Sequence, residues 1–293
     1  MSIIAVVGVG AVGGVVAARL CAEGRGDVVL CVREPFDELV VEGPAGILRA
    51  TPRVVTTPKG LQPVHWVLLA TKAHQTDGAA HWLRTLTTSQ TTVVILQNGV
   101  EHKERVAPYA NGAILLPTVV ECPAIRVAPG RIVQRIAAQL IVPATEAGQN
   151  FTQLFAGTDI TVTVTTDFVT AAWRKLCLNV AGGAITALTD RPLGVMRRPD
   201  VAQVARNLIY ECLLVGRAEG AVLDEGLVEE IVMSMVRSPA KAGTSMLTDR
   251  RAGRLLEADA RNGAVARIGT RHGIETPLNR ALTALLNAIH QDI

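Results

Sequence analysis

Lys175 and Asn179 stand four residues apart in Trp173-Arg174-Lys175-Leu176-Cys177-Leu178-Asn179, a spacing that puts both on one face of a helix. An ammonium and an amide converging on one point can protonate and orient a carbonyl oxygen. A second constellation follows in Gly243-Thr244-Ser245-Met246-Leu247-Thr248-Asp249 and Leu255-Leu256-Glu257-Ala258-Asp259-Ala260-Arg261-Asn262-Gly263. There Glu257 can accept a hydrogen bond from a hydroxyl, and Ser245 can bind a carboxylate. Each group also has an ordinary alternative. A helical Lys is most often a solvated charge, and Glu257 stands at ion-pair spacing from Arg254 and Arg261. Residue types and spacing leave both readings open.

The elements that would position such groups begin at the amino end. Ile3-Ile4-Ala5-Val6-Val7 is a short apolar run rich in β-branched residues, the pattern of a buried parallel strand. It runs into Gly8-Val9-Gly10-Ala11-Val12-Gly13, which fits the G-x-G-x-x-G dinucleotide fingerprint. The first glycine permits the tight turn, the second lets the backbone approach a pyrophosphate, and the third lets helix pack on strand. Free N–H groups at the helix start attract the phosphates. A second strand, Asp27–Val32, ends at Arg33, whose guanidinium suits the 2′-phosphate of NADP; Glu34 one step later keeps NAD open. NADP(H) is the expected cofactor.

His65–Ala70 and Thr91–Leu96 repeat the buried-strand pattern and deliver Lys72 and Asn98 to the carboxyl edge of the sheet, where α/β proteins bind ligands. His74, close to Lys72, reads as a capping or solvated side chain rather than a catalytic one. Leu39–Val41 and Ile47–Ala50 bracket a turn-rich Glu42–Gly46 and predict a hairpin; Arg53–Thr57 predicts a further short strand. Ala113–Val120, Arg131–Ile136, Ala138–Val142 and Ile160–Thr166 also read as strands, with Pro129-Gly130 as the turn between the first two. From Phe168 the pattern becomes helical, punctuated at Asp190-Arg191-Pro192, Glu219-Gly220, Ser238-Pro239 and Glu275-Thr276-Pro277. The expected class is α/β: a Rossmann-type dinucleotide-binding domain over 1–167, then an all-helical domain over 168–293.

Composition sets the remaining limits. At 293 residues and 49% hydrophobic, but only 3% aromatic, the chain must build its cores from Ala, Val, Leu and Ile. A net charge of +3 without a basic run gives no footprint for nucleic acid or an acidic membrane. Five scattered cysteines, at 21, 31, 122, 177 and 212, predict buried thiols rather than disulfides or a zinc site, so no metal is expected. The start lacks a secretion signal and no run of eighteen apolar residues occurs, so a cytoplasmic protein is expected.

Taken in order, the fingerprint, Arg33, Ala70-Thr71-Lys72-Ala73, Gln97-Asn98-Gly99, Trp173-Arg174-Lys175-Leu176 with Asn179, Thr186-Ala187-Leu188, Ser245–Asp249, Glu257, Asn262-Gly263 and His272-Gly273-Ile274 resemble the ketopantoate reductase (2-dehydropantoate 2-reductase) family. The resemblance implies that Lys175 is the general acid and that Glu257 orients the substrate's hydroxyl or carbonyl. It implies that Asn98, Asn179 and Ser245 contact substrate. Gly8, Val9, Gly10, Ala11, Val12, Gly13, Arg33, Lys72 and Asn98 would serve NADPH. The implied reaction is hydride transfer from nicotinamide C4 to a 2-oxo acid, with 2-dehydropantoate converted to pantoate in pantothenate biosynthesis. Separately from the resemblance, the apolar helices of the second half are where a homodimer would form.

The chain also departs from the family pattern. Gly183-Ala184 stands where a second Asn and a Pro are common, Leu193 where another Asn is expected, and Ala242 where a polar residue often precedes Ser245. Three polar contacts are absent, so reduction of a different 2-oxo acid or carbonyl compound is one alternative. A non-catalytic NADP-binding sensor is the other; Lys175 and Glu257 together argue against it.

Overall fold

Parallel pairing of short apolar strands organises the amino-terminal part of the chain. The computed structural model describes residues 3–289; Met1, Ser2 and residues 290–293 lie outside the described residues. The strands are β1 (Ile3–Val7), β2 (Asp27–Cys31), β3 (Leu39–Gly43), β4 (Gly46–Ala50), β5 (Arg53–Val55), β6 (Trp66–Leu69) and β7 (Thr92–Ile95). They continue with β8 (Ile114–Pro117), β9 (Val119–Glu121), β10 (Ala124–Ala128), β11 (Arg131–Gln134), β12 (Gln139–Pro143) and β13 (Thr161–Thr165). Six of them form one sheet in the order β5-β2-β1-β6-β7-β8, every pair parallel. Numbered by succession, this is the 3-2-1-4-5-6 order of dinucleotide-binding sheets, whose direction of winding reverses between β1 and β6. Ligands bind at the carboxyl ends beside that reversal, where Gly8 and Ala70 stand. Ile4, Val6, Leu68 and Val94 are fully buried, as strands covered on both faces must be.

Two smaller sheets complete this part: β10-β11-β3-β4 and β13-β12-β9. The expected hairpin is β3–β4, closed at Gly43↔Gly46 with Gly46 at φ +106. The predicted single strand over 113–120 is corrected by the structure. It is two strands, β8 in the six-stranded sheet and β9 in the three-stranded one, divided next to Pro117, which has no N–H to extend a ladder. The Pro129-Gly130 turn accordingly joins β10 to β11, and β10 lacks the buried-strand signature because its first two residues are half-buried and its last three exposed. A helix over Glu146–Leu154, started by Thr145 accepting from the Gly148 N–H, was also missed.

The helices are α1 (Ala11–Ala22), α2 (Thr76–Leu86), α3 (His102–Val106), α4 (Glu146–Leu154), α5 (Phe168–Thr189), α6 (Pro199–Ala218), α7 (Gly226–Arg237), α8 (Ser245–Arg251), α9 (Ala264–Arg271) and α10 (Pro277–Ala288). None of the described helices is long and apolar enough to cross a membrane. The chain divides into two compact units. One holds the residues up to Gln97 together with His102–Phe168; the other holds Asn98–Glu101 and the residues from Val169 onward. The second unit packs Leu176, Val180, Ala184, Leu208, Ile209, Cys212, Leu213, Val232, Met246 and Val265 into one core. Each such Leu or Ile stabilises the unit by about 1.5–3 kcal/mol relative to exposure. All five cysteines are free thiols. Burial pushes Cys21 up to about 11 and Cys31 and Cys122 up to about 12, so none of these three is a thiolate at neutral pH.

Candidate active site

In the first unit the glycine turn is built as its spacing requires. Gly8 sits at φ +90 and donates its N–H to Cys31 O at 3.1 Å. A Cβ there would lie 2.7 Å from the Thr71 backbone N, and a Cβ on Gly13 would lie 2.2 Å from Gly8 O. Neither position tolerates a side chain. Gly10 differs, because a Cβ on it would meet nothing within 4 Å. It is the N-cap of the 12-residue α1, which has no side-chain cap and no acidic residue in its first turn. The N–H groups at Ala11, Val12 and Gly13 are therefore not screened by a local carboxylate, and the turn fits a dinucleotide pyrophosphate. Val9 is 7% exposed and Ala11 and Val12 are half-buried.

Arg33 follows β2 and is exposed, as is Glu34. Lys72 follows β6 and is half-buried, with its carbonyl accepting from the Gln75 N–H at 2.8 Å. The loop after β7 is braced within this unit. Gln97 Nε2 donates to Thr71 Oγ1 at 3.0 Å and to Thr76 Oγ1 at 3.1 Å, and His102 Nε2 lies 2.9 Å from Gln97 O. His102 is buried, and that burial depresses its pKa below the ordinary imidazole value, against the opposing pull of the Gln97 carbonyl and Glu104. A neutral ring donating Nε2–H is the consistent state.

The second unit gathers most of the remaining candidates. Asn98 Nδ2 donates to Glu257 Oε2 at 3.0 Å, and Asn179 Nδ2 stands 3.5 Å from Asn98 Oδ1. Arg261 Nη2 donates to Glu257 Oε2 at 2.8 Å and to Ser245 Oγ at 3.0 Å. Asn98, Asn179, Ser245 and Glu257 thus belong to one hydrogen-bonded group. Lys175 lies one turn before Asn179 on α5 and is half-buried. Of the two arginines at ion-pair spacing from Glu257, Arg261 is its partner, while Arg254 pairs with Asp249 at 2.9 Å. That pair is not a surface bridge, because the two side chains are 1% and 2% exposed. Removing either partner would strand a buried charge at a cost of about 3–5 kcal/mol.

Local structure explains the convergence. The three positions 175, 179 and 183 recur every fourth residue along α5 and so share a face. Thr244 caps α8 by accepting from the Leu247 N–H at 3.2 Å, and its hydroxyl meets Thr186 Oγ1 at 2.7 Å; this places Ser245 at the first helical position. Glu257 leads into a π-helical turn, Asp259–Gly263, closed by Gly263 N–H to Ala258 O at 2.9 Å. Such turns are frequent at functional sites. Asn262, fully buried, ties that turn down by donating to Val180 O at 2.9 Å and Asn279 Oδ1 at 3.0 Å.

Gly99 reaches φ +111, where a Cβ would stand 2.8 Å from Ala260 O. Arg267 grips Glu101 through two bonds, at 3.3 and 2.7 Å. Asn98–Glu101 is held in this unit from both ends. Neither Arg261 nor Arg267 is marked as a site residue by the sequence; the signal that points to Arg261 is its spacing from Glu257.

Comparison with known proteins identifies the family. Residues 4–146 match the profile described as "Ketopantoate reductase PanE/ApbA", and residues 167–290 match "Ketopantoate reductase PanE/ApbA C terminal". The 2-dehydropantoate 2-reductase of Caulobacter vibrioides is 48% identical over 98% of this chain and 99% of its own. That of Mycobacterium tuberculosis is 41% identical over 97% of each chain. The crystal structure of a PanE/ApbA family ketopantoate reductase from Ralstonia eutropha superposes with a TM-score of 0.90 at 28% identity, covering 98% of both chains. The fold, the order of its motifs and these relatives place the chain in the ketopantoate reductase family.

Proposed function

We propose that the protein catalyses the NADPH-dependent reduction of 2-dehydropantoate to pantoate. The observation that carries this reading is the hydrogen-bonded group of Asn98, Asn179, Ser245 and Glu257 on one side of α5, one turn from Lys175, in a chain of this family. Reduced nicotinamide dinucleotide, when bound, supplies the hydride. Arg33 and Lys72 hold its phosphates together with the uncapped start of α1, and the guanidinium of Arg33 prefers the 2′-phosphate of NADPH.

Lys175 donates the proton to the carbonyl oxygen as that oxygen becomes an alkoxide. Its positive charge also lowers the energy of the developing anion. Glu257 accepts the hydrogen bond of the substrate hydroxyl, the Ser245 hydroxyl donates to the substrate carboxylate, and Asn98 and Asn179 fix the carbonyl in line for transfer.

A second reading, reduction of another 2-oxo acid with a more apolar chain, is favoured by one feature. The two departures Leu193 and Ala242 are neighbours, joined by Leu193 N–H to Ala242 O at 2.8 Å, so the polar groups are missing from one patch. Following nicotinamide absorbance with a panel of 2-oxo acids and both NADPH and NADH separates the readings. The highest kcat/KM is expected for 2-dehydropantoate with NADPH. A faster apolar 2-oxo acid would select the second reading, and cofactor binding without oxidation across the panel would mark a sensor rather than an enzyme.

A further inference from the structure

Arg261 has features that an ordinary structural arginine does not share. Its side chain is 2% exposed, its Nε has no hydrogen-bond partner among the described residues, and a single nitrogen, Nη2, serves both Glu257 and Ser245. Space for it exists because residue 183 has no side chain: an ideal Cβ on Gly183 would lie 2.9 Å from Arg261 Nη1 and 3.0 Å from Met246 Sδ. Gly183 continues the face of α5 that carries Lys175 and Asn179, so the guanidinium occupies the next position along that face.

The hydrogen-bond directions follow from donor chemistry. A guanidinium only donates, so Ser245 Oγ must accept from it, and the serine's own hydrogen is left to donate elsewhere. Glu257 Oε2 accepts from both Arg261 and Asn98, which fixes the carboxylate plane and keeps those two bonds off Oε1. The cation also balances the Glu257 charge, so a carboxylate-bearing ligand is not repelled there.

We propose that Arg261 is a positioning and specificity-determining residue, which, in the space left by Gly183, sets Ser245 to donate to the carboxylate and Glu257 to accept from the hydroxyl of a hydroxylated 2-oxo acid. The assignment rests on the reductase reading above and names the substrate class it selects. The residue acts through Glu257 and Ser245 and does not itself touch the reacting carbon.

The test compares kcat/KM for 2-dehydropantoate with that for 3,3-dimethyl-2-oxobutanoate, the same acid without its hydroxyl, in wild type, Arg261→Met and Gly183→Ala. The wild type is expected to favour the hydroxylated acid, and the ratio to fall about tenfold or more in both variants, with NADPH affinity unchanged. Gly183→Ala displaces the guanidinium without removing it and adds helix propensity, so it remains informative if Arg261→Met does not fold. A double variant, Gly183→Asn with Arg261→Met, puts an amide in the vacated space and is expected to recover part of the ratio. An unchanged ratio in Gly183→Ala, or equal loss on both acids in Arg261→Met, overturns the assignment of Arg261 alone. A wild type inert toward both acids fails the reductase reading and the proposal with it.

Discussion

Asn98 and Glu257 are separated by 159 positions in sequence, yet Asn98 Nδ2 donates to Glu257 Oε2 at 3.0 Å. The bond joins the Asn98–Glu101 segment to the carboxylate that precedes the π-helical turn, and it aims both. Asn98→Ala is expected to cost about 2 kcal/mol in kcat/KM for 2-dehydropantoate, the scale of a hydrogen bond to a charged group. Steady-state kinetics with melting curves as a folding control would measure it; a loss below about twofold would remove Asn98 from the site.

Lys175→Ala is expected to lower kcat by about 10²–10⁴-fold, the usual contribution of a positioned general acid. NADPH binding, followed by nicotinamide fluorescence, should be unaffected. A kcat within a few-fold of wild type would mean that another group or water protonates the alkoxide.

Two glycines of the fingerprint should fail differently. Gly13→Ala drives a methyl to 2.2 Å from Gly8 O, so the melting temperature is expected to fall by several degrees. At Gly10 an added Cβ meets nothing within 4 Å, and Asp suits an N-cap, so Gly10→Asp is the contrasting variant. That variant is expected to melt at or above the wild-type temperature while its NADPH Kd rises by about tenfold or more, because the carboxylate stands where phosphate binds. Calorimetric titration with NADPH distinguishes the two.

Arg33→Ala is expected to reduce the NADPH-over-NADH preference by about 10–100-fold in kcat/KM, the worth of a charge-assisted guanidinium–phosphate contact. The NADH rate should change little. A preference that survives this substitution would transfer 2′-phosphate recognition to another cation.

His102 carries a pH signature in stability. Its folded pKa lies below the unfolded value of 6.5, chiefly through burial, so below that value the unfolded chain binds the extra proton and gains. Its contribution is complete above about pH 6.5 and is lost as the pH falls through the folded pKa. Asp159, held low by Arg19, acts in the same direction but only near and below its ordinary value of 3.8. Melting temperatures between pH 7 and 5 are expected to decline in wild type and to decline less in His102→Leu, which should be less stable at pH 7 because the Gln97 carbonyl loses its donor.

How much was legible follows from where the determining contacts lie. The runs Ile3–Val7, Trp66–Leu69 and Thr92–Ile95 announce themselves because a strand covered on both faces needs contiguous apolar residues. The glycine turn is equally local, since each of its constraints is met within a few residues. Strand β10 escaped notice because an exposed hairpin strand imposes no such run, and β8 and β9 were fused because the change of sheet is visible only in their partners.

The site divides along the same line. Local spacing placed Lys175 and Asn179 on one helix face and left Glu257 between a surface ion pair and a functional carboxylate. Burial made the difference: the Glu257–Arg261 pair lies almost wholly out of water, where each charge must be answered by a specific donor or acceptor rather than by solvent. Sequence therefore carried the parallel sheet, its dinucleotide turn and the order of the family's motifs. The partnership of Asn98, Ser245, Glu257 and Arg261 had to await the packed chain, because the empty volume at Gly183 and the guanidinium that fills it come from different helices and meet only once both are buried.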